Sequence, residues 1–244
     1  MKKFLLLFLS ICFISQIAGA QALWQLKKYE VSAGLGPTFF FGDVGGFTPG
    51  ANSLGFKDFT ILQTHANLSF SFKYRIQDNI TGRLNFSGGY LKATDRRGSN
   101  EGRKFEATTN FFEPLILGEY YFLKNRLERS YRFQSRGKRT ATLMRSFDFY
   151  LFSGVGVISY SVKGNSELKR TKGFQSGGFA PVIPLGVGSR YIFSREIDLG
   201  LELCGRYAFS DYIDGYTSQY SKYNDVYYSL NFVFIYKIKP NKNF

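Results

Sequence analysis

From Ala180 to Asp214 the chain alternates apolar and polar residues along two long arms. Ile183, Leu185, Val187, Tyr191 and Phe193 share one face of the first arm. Leu199, Leu201, Leu203, Tyr207 and Phe209 share one face of the second. Gly186, Gly188, Arg190, Glu202, Cys204 and Arg206, small or polar, occupy the positions between them. A period of two marks strands, because successive side chains point to opposite faces. The polar stretch Ser194–Glu196 joins the arms as a tight turn. Each arm exceeds the about five or six residues of an ordinary soluble strand. Arms of roughly ten residues, apolar on one face and charged on the other, are what a membrane barrel requires.

The same pattern recurs along the chain. It predicts strands over Tyr29–Gly42, Gln63–Arg75, Ile80–Lys92, Phe105–Leu123 and Phe147–Tyr160, and a last one carrying Tyr228, Leu230, Phe232, Phe234, Tyr236 and Ile238 on one face. With the two arms of the hairpin this makes eight. Pro114 interrupts the fourth, so its facing is left open there, although Glu113 and Glu119 share an inward parity. Connections after the second and sixth strands are short, and those after the first, third, fifth and seventh are long. Short periplasmic turns and long extracellular loops alternate in this way in bacterial barrels. The connection Lys124–Arg145 breaks the rule by being long on the periplasmic side. The expected fold is therefore all-β: an eight-stranded antiparallel up-and-down transmembrane β-barrel. Eight strands leave an interior filled by side chains. Here the fill would include Glu30, Lys73, Arg75, Arg83, Glu119, Glu202 and Arg206, paired across the lumen because an unpaired buried charge is expensive.

The first twenty residues stand apart from this pattern. Lys2 and Lys3 precede an apolar run, Phe4–Ile14, and Ala18-Gly19-Ala20 supplies the small residues of a cleavage site. Residues 1–20 read as a cleaved signal peptide and residues 21–244 as one outer-membrane barrel domain. Removing Lys2 and Lys3 from 32 basic residues leaves 30 against 18 acidic ones. Cys204 is then the only cysteine, so no disulfide framework holds the fold, and its strand position suits a small packing residue. The 27 Phe and 17 Tyr, without a helix-length apolar run after the signal, again favour the outer membrane of a Gram-negative bacterium.

The run IPLGVGSRYIFSREIDLGLELCGRYAFSDYID, Ile183–Asp214, resembles the signature hairpin of the PorG-like outer-membrane barrels of Bacteroidetes. FFFGDVGG, Phe39–Gly46, is similar to that family's first-strand segment, and YSKYNDVYYSLNFVFIYKI, Tyr220–Ile238, to its closing strand. Gly215 and Tyr216 depart from the family's usual acidic and β-branched pair. The resemblance implies a barrel associated with the type IX secretion system, whose periplasmic ring is held at the outer membrane through such a protein. Partners implied are outer-membrane lipid and a periplasmic lipoprotein or ring subunit of the secretion machinery.

Site chemistry is sparse. A hydrolase needs a base beside a nucleophile, and the single histidine, His65, sits at the loop end of the second strand, where a rim or packing role fits. Asp43, Asp211 and Asp214 fall in extracellular loops. They have the chemistry to hold calcium, although carboxylates in Gly-rich loops commonly cap turns. The G-x-G pairs at Gly34/Gly36, Gly154/Gly156 and Gly186/Gly188 lie within strands and read as barrel curvature. No catalytic residue, metal site or cofactor is expected. The basic connection carries Arg126, Arg129, Arg132, Arg136, Lys138 and Arg139, and with Lys124, Arg145 and Glu128 it has a local charge of +7. It is either a solvated turn meeting anionic headgroups or a docking arm for a periplasmic partner. Export excludes nucleic acid. The function expected is a non-enzymatic anchor or scaffold. The alternatives are a small barrel that binds a ligand or surface partner through its loops, and a lipid-modifying enzyme.

Overall fold

The computed structural model describes residues 28–42, 44, 64–95, 101–124, 147–194, 196–217 and 224–238. Eight strands run in chain order: β1 Tyr29–Phe41, β2 His65–Arg75, β3 Ile80–Thr94, β4 Glu106–Leu123, β5 Phe147–Gly164, β6 Gly177–Ile192, β7 Ile197–Ala208 and β8 Val226–Lys237. Each pairs antiparallel with the next, and β8 pairs with β1 to close the barrel. Closure satisfies every strand edge, a requirement for strands in lipid, where no water is available to an unpaired N–H or C=O. Among the described residues no helix is long and apolar enough to cross a membrane.

Residue alternation decides which way each strand faces. Outward positions are apolar and exposed, as at Leu185, Ile116 and Phe232. Aromatic residues border this band. Tyr29, Tyr74, Tyr120, Phe149 and Tyr236 lie towards the rim that holds the termini, and Tyr90, Phe112, Phe179, Tyr207 and Phe209 towards the opposite rim. An apolar outer belt between aromatic girdles, around a polar interior, inverts a soluble protein and matches a lipid-facing barrel. The protein is an outer-membrane barrel.

Three features differ from the sequence pattern. β4 runs through Pro114 without losing its alternation: Glu113, Leu115, Leu117 and Glu119 are all buried. Pro114 faces outward opposite Phe86 on β3, and on the β5 side the register resumes at Leu115↔Gly156 after Phe112↔Ser159. The proline therefore costs a short gap in one ladder and leaves the facing unchanged.

The second difference is length. β5 and β6 extend past Tyr160 and before Ala180, so half of the expected loop Lys163–Gly178 is strand and a short helix, α1, Ser166–Lys169. A tilted transmembrane strand needs about 9–11 residues. At 15, 18, 18 and 16 residues, β3–β6 stand above the membrane as a wall on one side.

The third concerns the glycine pairs. Gly186 and Gly188 do more than permit curvature, because a Cβ on them would lie 2.2 and 2.3 Å from the rings of Phe152 and Tyr150. Glycine there makes room for two inward aromatics from β5. The signal peptide expected over residues 1–20 lies outside the described residues.

Candidate functional site

The lumen is the natural place to look for chemistry, and its lower half is ionic. Six cations project inward from the strands: Lys73, Arg75, Arg83, Arg190, Arg206 and Lys237. Six carboxylates meet them: Glu30, Glu113, Glu119, Asp148, Asp198 and Glu202. All twelve are buried, and their formal charges cancel.

The pairing has three tiers. Nearest the termini, Arg190 donates through both terminal nitrogens to the two oxygens of Glu30, at 2.9 and 3.0 Å, and also binds Asp198. Arg75 donates to Glu30 at 3.1 Å, and Lys237 lies 2.9 Å from Asp198. Asp148 stands across from Arg190 in the β5–β6 register.

One tier up, Lys73 and Arg83 are cross-strand neighbours of like charge, an arrangement that needs carboxylates to hold it. Glu119 on the adjoining β4 and Glu202 on β7 across the lumen provide them, with Lys73 Nζ 2.7 Å from Glu119 and Arg83 Nη1 2.7 Å from Glu202. The Tyr121 hydroxyl donates to Glu119 at 3.0 Å and the Tyr150 hydroxyl to Glu202 at 2.6 Å. In the third tier Arg206 contacts Glu113 at 2.9 Å, and Tyr227 and Ser87 donate to the same carboxylate. Breaking such a pair costs more than forming it gains, since the orphaned charge remains buried.

Above Glu113 the interior becomes apolar. Phe40, Leu91, Phe111, Ile158, Val162 and Val182 line it from the strands, and Val44, Leu168 and Ile213 close it from the connections. Backbone ties hold the closure. Thr109 Oγ1 donates to the Ile213 carbonyl at 2.6 Å, and Gln175 N to the Gly215 carbonyl at 3.0 Å. Phe174 and Tyr216 form a β-bridge between the β5–β6 and β7–β8 connections. Arg103 bonds Asp95 and lies over the rings of Phe105 and Tyr216, at 5.1 and 5.5 Å.

The sequence-predicted candidates distribute as follows. Asp214 accepts from the backbone N–H of Val44 at 2.8 Å and of Tyr216 at 2.9 Å, so it caps turns. Asp211 accepts from the Thr217 hydroxyl. Asp225, which the sequence reading passed over, accepts from Ile213 N at 2.8 Å. No group of three or more potential metal-ligating side chains occurs among the described residues.

His65 turns its ring against the outward-facing Tyr90, edge-on at 6.4 Å, instead of into the lumen where its strand parity would point it. Cys204 is buried among Leu115, Leu117 and Phe152, as a packing residue should be. All seven expected lumen charges point inward, and five join them: Glu113, Asp148, Arg190, Asp198 and Lys237. Asp43 and the basic residues Arg126, Arg129, Arg132, Arg136, Lys138 and Arg139 lie outside the described residues.

The chain belongs to the family described as "Domain of unknown function (DUF6089)", whose model matches residues 4–236. No match is found among curated proteins. Several solved structures are similar in shape at low identity. Neisserial surface protein A is 13% identical, covering 86% of this chain and 97% of its own, with a TM-score of 0.46. The Yersinia pestis attachment invasion locus protein Ail, in complex with the heparin analogue sucrose octasulfate, is 9% identical at the same coverage, with a TM-score of 0.45. Outer membrane protein W of E. coli is 15% identical, covering 90% of this chain and 100% of its own, with a TM-score of 0.42.

Proposed function

We propose that the protein is a non-enzymatic anchor of the outer membrane that holds a periplasmic lipoprotein or ring subunit of a type IX-like secretion system. The observation that carries this reading is the filled lumen. A barrel whose inner charges are mutually neutralised, and whose upper interior is an apolar core, has its rims left for work. On the periplasmic rim the connection from Lys124 to Arg145 carries a charge of +7 between the rigid ends of β4 and β5. Long-range charge of that size steers encounter with an acidic partner. The PorG-like hairpin Ile183–Asp214 supplies the secretion setting.

A photo-crosslinker at Arg132 in outer membranes tests the reading. Recovery of a periplasmic lipoprotein or ring subunit, lost when Arg126, Arg129, Arg132, Arg136, Lys138 and Arg139 are changed to Glu, is the expected result. Capture of lipid alone makes the arm a headgroup anchor and defeats the docking reading. A second reading, a barrel that binds a ligand or surface partner through its extracellular loops, draws support from the pinned β5–β6 and β7–β8 connections, which form a fixed surface. Partner capture that survives charge reversal of the arm favours it.

A further inference from the structure

Above the upper aromatic girdle, the outer wall of β3–β5 changes from apolar to basic. Strand pairing places Lys92, Thr108 and Lys163 in one row across three neighbouring strands, all on the outward face. Lys92 lies two residues beyond the outward Tyr90, and Lys163 six residues beyond the outward Val157. Lys104 is exposed at the end of the β3–β4 connection, in a left-handed conformation with φ 55°.

The next connection is fastened to this corner. Asn165 donates to the Lys104 carbonyl at 2.8 Å, its backbone N–H bonds Glu106 O, and Leu168 of α1 is fully buried. Lys169, Arg170 and Lys172 are therefore presented outward from a fixed base. Lys92, Lys104, Lys163, Lys169, Arg170 and Lys172 gather at this corner with the carboxylates of Glu106 and Glu167; Glu167 lies 3.9 Å from Arg170, and Arg103 is bonded to the buried Asp95. In the opposite connection Asp214 and Asp225 are buried and turned to backbone N–H groups, and the half-buried Asp211 accepts from the Thr217 hydroxyl.

We propose that this basic shoulder seats the phosphate groups of the glycolipid that forms the outer leaflet of the membrane. Two observations select that occupant. The charge is complementary to phosphate, with ammonium groups on either side of the Thr108 hydroxyl as donors. The shoulder also continues directly from the lipid-facing band of Tyr90, Phe112 and Val157, so one molecule can lay its acyl chains along the band and its phosphorylated head on Lys92 and Lys163. A soluble polyanion would use only the upper half of that surface. Backbone pairing fixes the row in advance, so little freedom is lost on binding. The inference does not depend on the identity of any periplasmic partner.

The test is native mass spectrometry of the full-length protein in detergent, with bisphosphorylated lipid A set against the same lipid after enzymatic dephosphorylation. The phosphorylated form is expected to be retained about tenfold better, an effect of the size that two surface cations provide. K92Q/K163Q should abolish the preference and K92R/K163R should keep it, while both retain the folded, heat-modifiable band on electrophoresis. Equal retention of the two lipids by the unchanged protein overturns the proposal. So does an undiminished preference in folded K92Q/K163Q. If the double variant does not fold, K163Q alone, at an exposed site, carries the same reading.

Discussion

The two halves of the barrel interior solve the same packing problem with opposite chemistry. The half nearest the termini is filled by twelve neutralised charges, and the half beneath the extracellular connections by an apolar core. Both are closed, but they differ in how they respond to damage. An ionic network is non-local: one carboxylate serves several partners, as Glu30 serves Arg190 and Arg75, and Glu119 serves Lys73 and Arg83. Removing one member strands several. An apolar core is additive in area, and its loss is confined to the groups that touched the missing atoms. The lower half should thus fail as a unit and the upper half piecemeal.

Arg190→Leu tests the difference most severely. It leaves Glu30 buried with Arg75 and Asp198 buried with Lys237, and the loss should be about 3–5 kcal/mol. Urea titration in vesicles, followed by circular dichroism and heat-modifiable mobility, should show the whole barrel destabilised. Loss confined to one rim would refute the idea of a cooperative network.

Leu168→Ala is the matched change in the upper half. It removes a fully buried side chain that anchors α1, at a cost of about 2–4 kcal/mol. That cost should appear as protease cleavage between Gly164 and Gly177, with the barrel's urea midpoint almost unchanged. A midpoint shift as large as that of Arg190→Leu would mean the two halves are one unit. Gly186→Ala falls between the halves in position. Its Cβ would press on the Phe152 ring and destabilise the barrel by about 1–3 kcal/mol, and Phe152→Leu in the same chain should restore most of the loss.

How much of this was legible beforehand follows from the physics of the strand. Facing is a period-two property, so the alternation alone placed Lys73, Glu119 and Glu202 inside, and they are inside. Which inward residues meet depends on the tilt of strands around a closed barrel, and no local pattern contains it. Arg190 was visible as a polar position, but its clasp on Glu30, 160 residues away in sequence, was not.

The apolar cap was hidden for a different reason. Inward residues such as Leu91, Ile158 and Val182 follow the alternation in parity but reverse it in polarity. Above the membrane the outer face meets water, and the wall reverts to the pattern of a soluble sheet. The length of β5 and β6 was missed on the same account, because Gly, Ser and Lys read as loop where they are the solvent-facing side of an overhanging strand. His65 is the first residue of its strand, where one flanking neighbour is absent and the ring packs onto Tyr90.

The smallest change sharpens the comparison furthest. Asp214 is a charge inside the apolar half, and it accepts from two backbone N–H groups, those of Val44 and Tyr216. Asp214→Asn keeps one acceptor oxygen but turns an amide NH₂ towards the other donor, so one of the two bonds must break. The expected loss is about 1 kcal/mol, the ordinary value of a capping bond. It should be read as roughly fivefold faster hydrogen exchange at the Tyr216 or Val44 amide. The urea midpoint of the barrel should stay where it is. If exchange at both amides is unchanged, the connections are held by Ile213 and Leu168 alone and the carboxylate is incidental. If the midpoint falls with the exchange rate, Asp214 belongs energetically with the ionic half despite its place among apolar side chains.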